Sequence, residues 1–289
     1  MAKIVRKAQL NDVIYEIEVD SPQIAQKGKA GQFVIIRLHE KGERIPLTLA
    51  DMDSKKGTIT LVFQVVGKTT LELSQKIGVG DDILDIVGPL GKPAEVEKFG
   101  TVVLLGGGCG VAPVYPQARA LKAAGNTVVS IIGFRNKNLI FWEDKMAAAS
   151  SELVVVTDDG SNGKKGFTTT ALQDLIDSGR KIDRVISIGP LIMMANTVKV
   201  TKPKGIKTIV SLNTLMVDGT GMCGCCRVST SKGTKFACVD GPDMDGFDLD
   251  FDEIMARNRK FEHEERAALE RYKHECQCEK AASAVEKCS

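Results

Sequence analysis

The stretch Leu104-Leu105-Gly106-Gly107-Gly108-Cys109-Gly110-Val111-Ala112-Pro113 decides the fold. It continues the apolar run Val102-Val103 and opens into Pro113–Ala124, which has helical spacing. A buried strand passing through glycines into a helix is a β–α unit. Its glycines remove side chains where a phosphate would approach backbone N–H groups at the positive end of the helix. Val111 stands three positions after Gly108, so the G-x-G-x-x-G fingerprint is absent and a tight structural turn is the competing interpretation.

Downstream the same alternation repeats. Thr127-Val-Val-Ser-Ile-Ile, Leu153-Val-Val-Val, Val185-Ile-Ser-Ile and Thr208-Ile-Val are short apolar runs, with helical stretches such as Thr169–Ser178 between them. Buried strands alternating with helices predict a parallel sheet of an α/β domain, assigned to residues 98–212. Ligands of such sheets bind at the carboxyl ends of the strands. Two further glycine-bearing strand ends, at Asp159-Gly160 and at Gly189-Pro190-Leu-Ile-Met193, join Gly107, Gly108, Cys109, Gly110, Val111 and Pro113 as candidate nucleotide contacts. Arg135 and Lys137 would suit a 2′-phosphate and Asp158 and Asp159 would oppose it, so these residues do not choose between NAD and NADP.

Upstream, residues 1–97 carry the alternating or β-branched runs Tyr15–Val19, Phe33–Leu38 and Thr58–Val66, separated by Gly, Asp and Lys turns. They predict a small antiparallel β-barrel with one helix near Leu71–Lys76. Its notable pieces are Arg44, Pro46, Leu47 and Thr48, then Val62-Phe63-Gln64, then Thr69-Thr70. An arginine, hydroxyls and a glycine turn can hold a phosphate and the polar edge of a ring, although Arg44 also fits an ordinary surface position.

Residues 213–289 begin with Asp218-Gly-Thr-Gly-Met-Cys223-Gly-Cys225-Cys226 and continue to Cys238. Read as ligands this is D-x4-C-x2-C-x11-C, the grouping of a plant-type iron–sulfur site with aspartate in the first position. Gly219, Gly221 and Gly224 would let the backbone curl around inorganic sulfur with φ > 0. Cys223, Cys225, Cys226 and Cys238 also suit a structural zinc site, but the second C-x2-C pair expected there is missing. Adjacent Cys225 and Cys226 cannot both serve one iron, and the spacing selects Cys226. Cys109 is a possible redox thiol or a small apolar filler. Cys276, Cys278 and Cys288 fall in a charged tail, where Phe251, Ile254, Met255, Phe261, Leu269 and Tyr272 predict a helix with a narrow apolar stripe.

Composition narrows the function. Of 289 residues 39 are basic and 37 acidic, a formal charge of +2, and 5% are aromatic, so no electrostatic or stacking footprint for nucleic acid exists. The N-terminus shows no signal peptide and no run of about 18 apolar residues occurs, which predicts a cytoplasmic chain without membrane insertion. Clustered cysteines in such a chain argue for metal or redox chemistry over disulfides.

R-x-P-L-T in a barrel, G-G-G-x-G-V-A-P at the first strand of an α/β domain, G-P-x-x-M-M and a C-terminal cysteine loop, in this order, resemble the ferredoxin-reductase superfamily. The chain is most similar to its small electron-transfer subunits, those of dihydroorotate dehydrogenase and of NADH-dependent reduced ferredoxin:NADP oxidoreductase. The resemblance implies FAD at Arg44, Pro46, Leu47, Thr48, Val62–Gln64, Thr69 and Thr70, NAD(H) at Gly107–Pro113, and a 2Fe-2S cluster on Asp218, Cys223, Cys226 and Cys238. In the dihydroorotate group all four ligands are cysteines, so Asp218 points to the ferredoxin:NADP group. The resemblance further implies a larger flavin and iron–sulfur partner like the glutamate synthase small subunit, serving NADP(H) and ferredoxin. The expected activity is an NAD(P)H-dependent oxidoreductase passing electrons between NAD(H), FAD and the cluster, with electron bifurcation in the assembly. The alternatives are a dihydroorotate dehydrogenase electron-transfer subunit and a zinc-stabilised nucleotide-binding regulatory module.

Overall fold

A computed structural model describes residues 1–286, with side chains described as far as residue 275. Cys276, Cys278 and Cys288 therefore lie outside the described side chains. In the N-terminal part, strands β1 (Ala2–Gln9), β2 (Ile14–Asp20), β3 (Phe33–Arg37), β4 (Ile45–Asp53), β5 (Thr58–Gln64), β6 (Asp82–Ile83) and β7 (Asp85–Leu90) form one antiparallel sheet in the order β6-β1-β2-β5-β4-β3-β7. Its inner face buries Ile4, Ile17, Val19, Leu49, Ile59 and Leu61. Helices α1 (Pro22–Lys27) and α2 (Lys68–Gln75) complete it, α2 covering the expected Leu71–Lys76 helix.

The α/β part contains β8 (Thr101–Gly107), α3 (Val111–Ala123), β9 (Thr127–Phe134), α4 (Glu143–Ala149), β10 (Glu152–Thr157), α5 (Thr168–Asp177), β11 (Arg184–Ile188), α6 (Leu191–Thr201) and β12 (Thr208–Ser211). The five strands run parallel in the order β10-β9-β8-β11-β12. They are apolar almost throughout because helices cover both faces: α3 and α4 pack with Val102 and Val128, whereas α5 packs with Val103 and Val129. Helix α6 is not among the helical stretches read from the sequence. Its start, Leu191-Ile-Met-Met, reads as the tail of a glycine-bearing loop, and its apolar faces become intelligible only once β11 and the C-terminal segment cover them.

The two parts share a core in which Ile14, Ala50 and Val62 meet Val111, Val114 and Ala118. Polar locks reinforce the junction. Arg119 on α3 pairs with Asp51 on β4 at 2.7 Å. Trp142, whose φ of 55° is left-handed, donates its indole N–H to buried Glu16 at 2.9 Å, and the same carboxylate pairs with Arg6.

The C-terminal segment forms a hairpin of β13 (Arg227–Thr230) and β14 (Gly233–Phe236), helix α7 (Ala237–Asp240), strand β15 (Asp243–Asp245), and helices α8 (Phe251–Asn258) and α9 (Glu262–Glu286). β15 pairs antiparallel with β12, so residues beyond 212 extend the α/β sheet. The expected single helix is broken at 259–261. Ile254 is buried in the core around Cys226 and Cys238, while buried Tyr272 lies against Lys76 just after α2, 5.4 Å from ring centroid to Nζ. The chain turns between these two anchors.

Asp243 ties this segment to α3. It accepts from Gln117 Nε2 at 2.9 Å, yet its Oδ1 and Gln117 Oε1 are both buried with no hydrogen-bond partner among the described residues. Burial pushes the Asp243 carboxyl up to about 6, against the opposing bonds from Ser211 and Gln117. A raised folded-state value means that stability is full below the ordinary carboxylate range and falls as pH rises toward 6. Asp243→Asn, which keeps the shape and supplies a donor, is expected to stabilise the chain by about 2 kcal/mol at pH 7.5 and by little at pH 4. Melting curves at both pH values check this, and equal shifts at the two would contradict it.

Candidate functional site

Three loops make up the site. The first links β8 to α3. Gly108 has φ +53° with open space where a Cβ would project, whereas a Cβ on Gly110 would sit 2.3 Å from Ile188 O. A Cβ on Gly107 would meet Met193 Sδ at 2.5 Å and Pro190 Cδ at 3.1 Å. The ends of β8 and β11 are thus brought into direct contact, with Gly107 and Gly110 against Ile188, Gly189, Pro190 and Met193, while Gly108 turns the chain toward Val111 and Pro113 at the start of α3. Between β8 and β11 the connections change direction, since β8 leads outward to β9 and β10 while β11 begins the other wing. A crevice at such a switch point is where open α/β sheets bind ligands.

Asp159 and Gly160 stand apart, in the loop after β10 two strands away. Asp159 Oδ1 accepts from Ser161 N at 2.9 Å, and a Cβ on Gly160 would collide with Lys165 Cβ, so both residues serve a local turn. Asp158 N and Asp159 N bond Phe134 O and Arg135 O, which packs this turn against the loop after β9.

The second loop set lies on the half-barrel. Pro46, Leu47 and Thr48 are on β4, paired with Ile35, Val34 and Phe33 of β3. Arg44 precedes them, exposed beside Arg37 and Asp85. Val62, Phe63 and Gln64 end β5, where the Phe63 ring stacks on Tyr15 at 5.8 Å. Thr69 and Thr70 are buried in the first turn of α2. The Thr70 hydroxyl accepts from Val66 N and Gly67 N, and the Thr69 hydroxyl donates to Glu43, so both act within the chain and leave main-chain N–H groups as the free donors of that turn. Cys109 joins the two parts, its thiol facing Val62 O at 4.0 Å. Burial pushes this thiol up to about 12, which makes it a neutral filler at the junction.

The third loop holds the predicted metal ligands. Gly219, Gly221 and Gly224 adopt φ of 75°, 83° and 68°, the conformation the sequence requires of them. Asp218 Oδ2 accepts from Cys223 N at 3.0 Å and Thr220 Oγ1 at 2.9 Å, while Oδ1 accepts from Thr220 N at 3.1 Å and from the Cys223 thiol at 3.3 Å. Desolvation opposes ionisation, but these bonds outweigh it and hold the carboxyl down to about 2. Cys226 and Cys238, both buried, face each other with sulfurs 3.1 Å apart. Burial and the contact with Cys226 push the Cys238 thiol up to about 12, so it gives up its proton only on binding metal.

The donors therefore come as two pairs, Asp218 with Cys223 and Cys226 with Cys238. Among the described residues no group of three or more metal-ligating side chains converges on one point. Two pairs fit a binuclear cluster with two protein ligands per iron. Cys225 is half-buried and lies against Cys223, and it also lines a groove walled by Thr214, Arg227 and Arg257. Cys225→Ser is expected to retain the full iron content of the purified chain, and loss of iron would return Cys225 to the ligand set.

One contact was not legible beforehand. A Cβ on Gly219 would lie 2.6 Å from Leu90 Cδ1 and 2.9 Å from Ile35 Cδ1, so the loop is pressed against β3 and β7, and Ile35 is the residue opposite Pro46.

The chain is similar to known proteins over nearly its whole length. Residues 213–250 match the iron–sulfur cluster binding domain of dihydroorotate dehydrogenase B. The Thermotoga maritima dihydroorotate dehydrogenase B (NAD(+)) electron transfer subunit homolog is 46% identical over 270 residues, 93% of this chain and 95% of its own. The electron transfer subunit from Bacillus cereus is 33% identical, over 83% of this chain and 93% of its own. A solved chain from the NADH-dependent reduced ferredoxin-NADP oxidoreductase, a structure described for flavin-based electron bifurcation, superposes with a TM-score of 0.89 at 45% identity, over 94% of this chain and 98% of that one. At 33–46% identity over 83–94% of its length, the chain belongs to the family of dihydroorotate dehydrogenase B electron transfer subunits and their homologues.

Proposed function

We propose that the chain is the electron-transfer subunit of a flavin and iron–sulfur oxidoreductase, working between NAD(H) and a larger partner subunit. The observation that carries this is the meeting of three loops on the half-barrel. The nucleotide loop touches Val62 through Cys109, and the cluster loop touches Ile35, opposite Pro46, through Gly219. Bound at these places, FAD and a 2Fe-2S cluster supply the exchange between a two-electron hydride carrier and a one-electron acceptor.

The chain's own residues position these groups. Main-chain N–H groups at the start of α3 and α2 face phosphate positions, and Arg44 adds charge beside the strand bearing Pro46, Leu47 and Thr48. Glycines 107, 108, 110 and 189 keep the crevice open for NAD(H). Asp218, already ionised, and Cys223 take one iron at the exposed end of the loop, while Cys226 and Cys238 take the other in the core. Asp159 and Gly160 shape the wall next to the loop after β9. Residues 1–97, 98–212 and 213–289 serve as the flavin, nucleotide and cluster units.

Val217, Met222 and Val239 are exposed, each next to a ligand position, and such an apolar rim suits the surface through which a partner takes electrons. Asp218 and the 45% identity to the ferredoxin-NADP oxidoreductase chain favour a glutamate-synthase-small-subunit-like partner that handles NADP(H) and ferredoxin. The family also contains dihydroorotate dehydrogenase subunits, and the subunit that co-purifies from the native host distinguishes the two. No described helix is long and apolar enough to cross a membrane, and the cytoplasm is the proposed location.

The test is an anaerobic visible spectrum during stepwise addition of NADH. Bleaching of flavin and iron–sulfur bands together is the expected result. A chain that purifies with zinc and no flavin would overturn the proposal in favour of the regulatory module.

A further inference from the structure

Beside the cluster loop lies a groove of about 100 Å³, walled by the residues before the loop, the start of β13 and the end of α8. Three cations line it, Arg227, Arg257 and Lys260, and none of them forms an ion pair among the described residues. The nearest acid in sequence, Glu262, is engaged with Arg266. The last α8 carbonyls are capped by the main-chain N–H groups of Arg259 and Lys260, so the cationic side chains are not drawn into capping. The walls are braced: Arg227 Nη1 donates to Gly224 O at 3.1 Å, and Asn258 Nδ2 donates to Asn213 O at 3.2 Å.

A second observation points to a ligand. Thr214, which also lines the groove, is only 5% exposed, and its hydroxyl is buried without a hydrogen-bond partner among the described residues. An unsatisfied buried hydroxyl costs about 1–3 kcal/mol and is rare without a purpose. Three cations without a carboxylate partner, of which Lys260 also lies over the Phe261 ring at 5.7 Å, and one unpartnered hydroxyl in the wall match an oxyanion, which accepts charge-assisted bonds from guanidinium groups.

We infer that this groove is an oxyanion site, separate from the flavin and nucleotide sites, which takes a phosphate- or carboxylate-sized group and biases the cluster toward its oxidised state. The coupling rests on the cluster reading above. Cys225 forms part of the groove wall and is flanked by the ligands Cys223 and Cys226, so a bound anion lies against the ligand loop. Reduction adds negative charge to the cluster, and like charges at short range oppose each other. By linkage, the reduced chain binds the anion more weakly by the factor through which the anion disfavours reduction.

The full-length holoprotein, saturated with flavin and NAD+, is titrated with inorganic phosphate in one arm and acetate in the other, by calorimetry at constant ionic strength. Saturable binding at one site is expected, weakened about tenfold in Arg257→Gln and several-fold in Thr214→Val. Preference for phosphate identifies a phosphoryl ligand and preference for acetate a carboxylate. No saturable binding, or equal binding in both variants with unchanged melting temperatures, overturns the site. The cluster midpoint potential is then measured in phosphate and in chloride. A lower value in phosphate, absent in Arg257→Gln, is expected, and an unmoved potential overturns the coupling. Failure of the cluster reading shows separately, as absent iron, and leaves the calorimetry able to judge the groove.

Discussion

A Cys238→Ser variant will fold and hold flavin but lose its iron–sulfur absorption. Cys238 is buried 3.1 Å from Cys226 in a core that also contains Met216, Val228 and Ile254. Serine nearly preserves the volume, so the folding penalty is that of one buried hydroxyl without a strong partner, about 1–3 kcal/mol. Cluster binding suffers far more, because an alkoxide is a harder and much more basic ligand than a thiolate. With only Cys226 left in the buried pair, the inner iron loses half its protein ligands. Iron per flavin and the visible spectrum measure the outcome, and wild-type values for both would remove Cys238 from the ligand set. Asp218→Cys is the contrasting case. The new thiolate keeps the donor count, so iron content should persist while the midpoint potential moves; an unchanged potential would show that Asp218 does not bind iron.

Gly110→Ala is expected to destabilise the chain by about 3 kcal/mol and to abolish NADH-dependent flavin reduction. Gly110 has φ −62°, comfortable for alanine, so the whole effect is steric. The added Cβ would lie 2.3 Å from Ile188 O and 2.8 Å from Ile188 C, backbone atoms at the end of β11 where Ile188 is paired with Gly106 of β8. Backbone so fixed cannot yield, and the start of α3 must move off β11. Gly107→Ala meets the flexible end of Met193, which can swing aside, and Pro190 Cδ at 3.1 Å, which must give by a few tenths of an ångström, so its stability cost is about 1 kcal/mol with the loss concentrated in NADH affinity. Gly108→Ala meets no atom and carries only the left-handed strain of about 1 kcal/mol. Thermal melts and NADH titrations of the three variants should rank Gly110 as the most damaging to stability. A wild-type melting temperature for Gly110→Ala would contradict the packing described.

The alternation of apolar runs with helices, the half-barrel strands and the cluster spacing were legible because each depends on neighbours close in sequence. A buried parallel strand is apolar throughout, and the glycines at 219, 221 and 224 are required locally wherever φ turns positive. The misjudged elements depend on distant partners. α6, the break between α8 and α9, the pairing of β15 with β12 and the bond between Gln117 and Asp243 all depend on surfaces supplied by other elements. Asp159 and Gly160 form a tight turn in the loop after β10, and a glycine after a strand has the same local signature whether it holds a ligand or only turns the chain.

By itself, then, the order of residues determined which chemistry the chain can hold: thiolates and a carboxylate at cluster spacing, glycines at strand ends, and a basic and hydroxylic strand in the barrel. Only the tertiary structure decided how these meet. It sorted the donors into two pairs, joined the ends of β8 and β11 at the switch point, pressed Gly219 against Ile35 and Leu90, and gathered Arg227, Arg257, Lys260 and Thr214 around one groove. Local preference sets what each segment can be. Juxtaposition across the chain is set by burying apolar faces against one another, and that information belongs to no single segment.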